Sequence, residues 1–253
     1  MGSGPRGAPF GGERRREPSL RERARTPVGV LAARPGLIRG LVFDLDGTLI
    51  DSRADIARAA NHALTLLGFP ELPEATIAGY VGDGARKLMA RAAGLSLEDP
   101  RLAPLHAEFL RYYTAHPVVS TRVIPGAARA LEALSRYPLA VCTNKPRVTT
   151  ERVLAALDLA HRFRAVVAGD DLPVQKPDPA PILHIAERLG IAPPELVVIG
   201  DGAQDVAAGR AAKAHTVGVR GGIQGDARLI DAEPEVLLDD LSELPELVRT
   251  SSW

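Results

Sequence analysis

Two hydrophobic periods alternate along this chain, and the alternation predicts its architecture. Short unbroken apolar runs occur at Leu41–Phe43, Leu139–Thr143, Ala165–Ala168, Leu196–Gly200, Thr216–Val219 and Val236–Leu238. Runs of that length read as strands covered on both faces. Segments of helical period separate them, notably Pro125–Arg136, Val148–Leu157, Pro179–Leu189 and Gln204–Ala212. Strands alternating with helices predict an α/β protein with a doubly wound parallel sheet. One stretch departs from the alternation. From Ser52 the pattern is helical only, with Ile56, Ala60, Ala63, Leu64 and Leu67 on one face, Asp51 or Ser52 placed to cap the start and Gly68 to end it. Further helices are expected over Glu74–Tyr80, Ala85–Ala93 and Leu102–His116. Residues 53–122 therefore read as an all-helical unit, a cap, inserted into an α/β core made of residues 37–52 and 123–253. Residues 1–36 are rich in Gly, Pro and Arg without apolar periodicity, and read as a disordered basic extension.

Composition narrows the possibilities. The 253 residues carry equal numbers of acidic and basic side chains. Eight Arg against three Glu in residues 1–36 leave the remainder net negative by five, so the folded part offers no electrostatic case for nucleic acid or an acidic membrane. No apolar run approaches the ~20 residues that span a bilayer. Cys142 is the sole cysteine, which excludes an intramolecular disulfide and points to a reducing, cytoplasmic setting. Neither that cysteine nor the six scattered histidines can build a zinc site. The expected state is a monomer or a homodimer.

Ligands of open parallel sheets bind outside the carboxyl ends of the strands, so chemistry is sought there. The first strand delivers Asp44 and Asp46 and then turns at Gly47-Thr48. Ionised carboxylates in a partly dry crevice need a cation or hydrogen bonds to compensate them. The second relevant strand ends in Thr143-Asn144-Lys145, a hydroxyl and backbone N–H groups at a strand-to-helix turn that suit an anion. Gln175-Lys176-Pro177-Asp178-Pro179 opens a helix, its prolines stiffening the entry and holding Lys176 in place. Gly200-Asp201 ends a further strand and Asp205 lies four residues on. Oxygen ligands on rigid strand ends suit a hard cation, Mg²⁺. This inventory matches phosphoryl transfer, whose transition state needs a metal, a cation and hydrogen-bond donors more than acid–base strength. A carboxylate of the first pair would attack phosphorus while the other serves as acid and base; spacing alone does not say which.

In that order the four motifs, Asp44-Leu45-Asp46-Gly47-Thr48, Thr143, Lys176 and Gly200-Asp201 with Asp205, resemble the haloacid dehalogenase superfamily over about residues 37–250. The resemblance implies Asp44 as nucleophile, Asp46 as acid/base, and Mg²⁺ on Asp44, the Asp46 backbone carbonyl and Asp201, with Asp205 in support; it also implies a helical cap after the first motif. The stretches Asp44–Ser52, Val81-Gly82-Asp83-Gly84, Thr143-Asn144-Lys145-Pro146, Gln175–Pro179 and Ala208–Ala212 are similar to the phosphoglycolate phosphatase family. That implies a phosphatase of small phosphate monoesters, with 2-phosphoglycolate as substrate. Thr143, Asn144 and Lys176 would hold the phosphate, Gly82 and Gly84 would let cap backbone approach a small substrate, and Arg86 would meet its carboxylate. Gly202 and Lys213 depart from the family, which often has serine and glycine there.

Rival readings are weighed on the same residues. Dehalogenases and phosphonate hydrolases of the superfamily lack the carboxylate at the position of Asp46, and the single lysine of residues 53–122, Lys87, is explained by a solvated helix face. Phosphatases of pyrophosphate or sugar phosphates and phosphomutases keep Asp46 and stay open. A non-catalytic scaffold on the same fold would be expected to have lost Asp44, Asp46, Lys176 or Asp201, and all are present.

Overall fold

The structure, a computed structural model, describes residues 1–2 and 37–250. The expectation of disorder in the basic extension falls on residues 3–36, outside the described residues.

The first apolar run forms β1 (Gly40–Phe43), and a small antiparallel pair, β2 (Ile50–Asp51) and β3 (Arg122–Val123), brackets the helical insertion. The insertion comprises α1 (Arg53–Leu66), α2 (Glu74–Ala78), α3 (Ala85–Ala93) and α4 (Leu102–Ala115). Strands and helices then alternate: α5 (Pro125–Ala133), β4 (Leu139–Cys142), α6 (Arg147–Ala156), β5 (Ala165–Val167), α7 (Ala180–Leu189) and β6 (Leu196–Gly200). The chain closes with α8 (Ala203–Ala211), β7 (His215–Val219), α9 (Asp226–Asp231), β8 (Val236–Leu238) and α10 (Leu244–Thr250).

Among the described residues six strands form one parallel sheet in the order β5-β4-β1-β6-β7-β8, so the doubly wound reading holds. The register pairs Phe43 with Val141 on one side and Ile199 on the other, which brings the carboxyl ends of β1, β4 and β6 level. Side chains alternate across the pleat. Leu41, Phe43, Val141 and Ile199 join the core under α5 and α10, whereas Val42, Ala140, Cys142 and Val198 pack against Ile182, Ile185 and Ala208 of α7 and α8. Each buried Val, Leu or Ile contributes about 1.5–3 kcal/mol, which is why the central strands carry almost no polar residue before their last position.

The helical insertion has a separate core around Ile56, Leu64, Ile77, Met89, Leu105 and Phe109, and Ile223 of the loop after β7 also packs into it. Its return to the sheet is tied by Asp55, buried on α1, whose carboxylate accepts hydrogen bonds from the backbone N–H groups of Val119, Ser120 and Thr121 and from Thr121 Oγ1. Of the two residues expected to cap α1, Asp51 does so, its Oδ1 accepting from the Arg53 backbone N–H at 3.3 Å and from Arg53 Nε at 2.9 Å, whereas Ser52 makes no side-chain cap because its Oγ donates to Asp46 Oδ1 at 2.6 Å.

Candidate active site

The end of β1 fixes Asp44. Its backbone N–H donates to Ile199 O at 2.8 Å, one step beyond the last strand pair, and the chain then turns at Gly47. Gly47 sits at φ +93°, and a Cβ there would meet Asp201 Oδ2 at 2.2 Å, so glycine is what lets this turn pass beside a carboxylate. Asp44 is buried. Its Oδ1 lies 2.9 Å from Lys176 Nζ but off a hydrogen-bonding direction, and has no hydrogen-bond partner among the described residues.

Lys176 reaches Asp44 from inside the protein. Its ammonium donates to Cys142 O at 2.6 Å and to Asp205 Oδ1 at 2.5 Å. Burial works against its charge, but Asp205 and Asp44 outweigh burial and hold its pKa above the ordinary lysine range. Asp205 Oδ2 accepts from the Gly202 N–H at 3.1 Å, so both Asp205 oxygens are engaged within the protein. Asp201 accepts from Thr48 Oγ1 at 3.0 Å and from the Ile223 N–H at 2.9 Å.

Asp44, Asp201 and Asp205 each offer an oxygen within 4.8 Å of the others. Burial, and then the charges of Asp44 and Asp205, push the Asp201 pKa up; burial and Asp44 push Asp205 up against the opposing pull of Lys176. An all-oxygen donor set, crowded, buried and containing Asp44 Oδ1, which accepts no hydrogen bond among the described residues, fits a hard divalent cation.

Asp46 lines the same cavity but has a different set of partners. Its Oδ1 accepts from Ser52 Oγ and from Lys145 Nζ at 2.9 Å, and its Oδ2 from the same ammonium at 3.0 Å. Lys145 also donates to Tyr113 Oη at 2.7 Å, which links the end of β4 to α4 of the helical insertion. Burial opposes the Lys145 charge, yet Asp46 and Tyr113 raise its pKa overall; burial first of all pushes the Tyr113 phenol up to about 12, so it keeps its proton.

A cavity opens between the strand ends and the helical insertion. Asp44, Asp46, Thr143, Asn144, Lys145 and Asp201 form one side, and Ile56, Leu88, Phe109 and Tyr113 the other. Thr143 Oγ1 accepts from the Lys145 backbone N–H at 3.2 Å, which leaves its own proton to donate. The Asn144 amide is taken up by the protein: Nδ2 donates to Gly82 O and Lys176 O, each at 2.8 Å, and Oδ1 accepts from the Lys176 N–H at 3.0 Å. Gly82 and Gly84 line the cavity. A Cβ on Gly82, at φ +111°, would meet Gln224 Nε2 at 1.9 Å. Arg86 is not brought to the cavity. It is exposed on α3 and donates to Leu97 O at 2.7 Å, because its position one residue into the helix turns it away from the strand ends.

Sequence reasoning gave no role to Lys145 or Tyr113. Lys145 stands beside Thr143 in a motif already singled out, so its place was within reach. Tyr113 follows Leu102, Leu105 and Phe109 on the buried face of α4, and nothing but its hydroxyl separates it from core packing.

Comparison with known proteins agrees with this geometry. The family model for haloacid dehalogenase-like hydrolases matches residues 41–219. The phosphoglycolate phosphatase of Nitrosospira multiformis is 38% identical over 224 residues, covering 85% of this chain and 97% of the relative. A plasmid-borne phosphoglycolate phosphatase of Cupriavidus necator is 39% identical over 82% of this chain and 92% of its own length. Among solved structures, a predicted phosphoglycolate phosphatase from Haemophilus somnus superposes with a TM-score of 0.76 at 29% identity, covering 83% of this chain and 97% of that one. A hydrolase from Pseudomonas syringae gives a TM-score of 0.70 at 30% identity, covering 85% of this chain and 100% of that one. Matched over residues 41–219, which include the insertion and the segments that carry Asp44, Thr143, Lys176 and Asp201, this chain belongs to the haloacid dehalogenase-like hydrolases.

Proposed function

We propose that this protein is a Mg²⁺-dependent phosphatase of small phosphate monoesters that works through an aspartyl-phosphate on Asp44 and takes 2-phosphoglycolate as its substrate. The observation that carries the reading is Asp44 Oδ1, a buried carboxylate oxygen on the cavity side of the sheet with a cation beside it and no hydrogen bond to blunt it. The names of the relatives support the substrate.

In this reading the Asp44 carboxylate attacks phosphorus, and the bond from phosphorus to the ester oxygen breaks. Asp46 gives its proton to the departing alkoxide, and glycolate leaves. Asp46 then takes a proton from a water molecule, whose oxygen attacks the phosphoryl group on Asp44; phosphate departs and the carboxylate is restored. Thr143 Oγ1 donates to a phosphoryl oxygen. Lys176 offsets the negative charge that gathers around Asp44, and Asp205 holds Lys176. Asp44, the Asp46 carbonyl and Asp201 would hold the Mg²⁺, which would neutralise charge on the phosphoryl oxygens, with Asp205 behind them. Residues 53–122 act as a cap that keeps bulk water from the reacting group.

A phosphate-release panel of 2-phosphoglycolate, pyrophosphate and a sugar phosphate, run with and without Mg²⁺, tests the proposal. Mg²⁺-dependent release, greatest from 2-phosphoglycolate, is expected. Conversion of the sugar phosphate to an isomer with no free phosphate would replace the hydrolase with a mutase.

A further inference from the structure

Two polar side chains of the cavity wall have no part in the steps given to Asp44 and Asp46. Lys145 and Tyr113 are both buried, at 7% and 2% exposure, and both border the cavity. The Lys145 ammonium touches Tyr113 Oη at 2.7 Å and the two Asp46 oxygens at 2.9 and 3.0 Å, and lies 4.4 Å from the centre of the Tyr113 ring. In the bond to Lys145 the phenol is the acceptor. That ammonium is its sole hydrogen-bond partner among the described residues, so the phenolic proton is left to give to something else.

The surroundings say what kind of group would take it. Ile56, Leu88, Phe109 and Ile223 make the rest of this wall apolar. A hydroxyl donor polarised by an ammonium, in a setting with little water to compete, favours an anionic acceptor over a neutral one. Among the described residues Lys145 is the one positively charged side chain that lines the cavity, and it shares its ammonium with Asp46 and Tyr113; Lys176 is paired with Asp44 and Asp205, and Arg86 is turned to Leu97. The spacing is equally restrictive. Asp46 and Tyr113 both lie within 3.0 Å of the same nitrogen, so groups held at Asp46 and at Tyr113 sit close together, which suits a short tail between ester oxygen and acceptor.

We infer that Tyr113 and Lys145 form the subsite for a carboxylate on the leaving-group side of the substrate, restricting the enzyme to short phosphate esters that carry a carboxylate beside the ester carbon. This rests on the phosphatase reading above and adds the residues that choose the substrate. Tyr113 brings the cap to the choice and Lys145 the core, so a carboxylate also completes the contact between them.

The test compares 2-phosphoglycolate with ethyl phosphate, which has the same chain length and no carboxylate. In Tyr113→Phe the ratio of kcat/KM for the two esters falls about 10- to 100-fold, mostly through KM for 2-phosphoglycolate. A ratio within twofold of the wild type overturns the subsite. The wild type supplies a second measurement that no folding defect can obscure: 3-phosphonopropionate should inhibit at least about tenfold more tightly than propylphosphonate, and equal inhibition overturns the subsite. A wild type that hydrolyses both esters while failing these tests leaves the phosphatase reading intact. One that releases phosphate from neither ester removes both.

Discussion

Lys176 Nζ lies 2.9 Å from Asp44 Oδ1 without pointing a hydrogen bond at it, so one buried carboxylate oxygen has a neutralising charge at its side and an open lone pair. The arrangement depends on where the ammonium is anchored. Cys142 O and Asp205 Oδ1 take two of its three N–H donors. Lys176→Met removes the charge and leaves two buried carboxylates without it. A destabilisation of about 3–5 kcal/mol is expected in urea unfolding, with a fall in kcat of about 10²–10³-fold. A variant as stable and as active as the wild type would show that the cation matters to neither.

The crowding of Asp44, Asp201 and Asp205 makes stability depend on pH and on divalent cations. Asp201 and Asp205 have pKa values raised by burial, so the folded protein without metal holds protons that the unfolded chain releases near pH 4 or so. Their contribution is therefore full below that range and declines as pH rises. A divalent cation that binds the ionised set reverses the decline. Thermal melts should show Mg²⁺ raising Tm, more at pH 8 than at pH 5; a Tm indifferent to Mg²⁺ and to its removal by chelator at both values would count against a metal at these carboxylates.

Asp55 behaves in the opposite sense. Burial alone would raise its pKa, but the hydrogen bonds from Thr121, Ser120 and Val119 prevail and lower it to about 2. Its stabilising effect is present above the ordinary aspartate pKa of about 4 and is lost as pH falls through the folded value. Asp55→Asn should cost about 1.5–3 kcal/mol at pH 7, with the gap from the wild type narrowing as pH drops from about 4 toward 2. A gap that is constant over this range would place the effect elsewhere than in the ionised carboxylate.

Side-chain amides of the core hold the glycine loop of the helical insertion. Asn144 Nδ2 donates to Gly82 O and Gln175 Nε2 donates to Asp83 O, each at 2.8 Å. Gln175→Ala removes one of these ties from the rim while leaving the carboxylates alone. Hydrogen exchange of the backbone amides near residues 81–88 should quicken by about 3- to 10-fold, the effect of one net hydrogen bond. Unchanged exchange would mean that the loop is held by packing around Val81 and Leu88.

The strands were legible because a doubly covered sheet leaves a local mark, four or five apolar residues ended by a polar one, as in Leu196–Gly200 before Asp201. Asp44, Thr143 and Asp201 were legible for the same reason, since the strand that carries each residue also aims it. What the sequence hid depends on contacts across distance. Tyr113 meets Lys145 from 32 positions away, and only the fold brings a helix of the insertion over β4. The side-chain amide of Asn144 is drawn into Gly82 and Lys176, groups 62 and 32 positions away, a use that its place after Thr143 does not reveal. Arg86 follows a glycine loop that does reach the cavity, but one further residue into α3 rotates it out to Leu97. Asp205 was placed with the metal by its spacing from Asp201; it stands near that set, with its two oxygens bound to Lys176 and Gly202.

The central claim is that Asp44 becomes covalently phosphorylated. Wild-type protein mixed with 2-phosphoglycolate and Mg²⁺, quenched in acid within the first turnovers and digested, should yield the peptide containing Asp44 with the mass of one added phosphoryl group. Asp44→Asn should yield none and should release phosphate at least about 10³-fold more slowly. Phosphate release by Asp44→Asn at the wild-type rate, or a phosphoryl group found on another residue, would contradict the account.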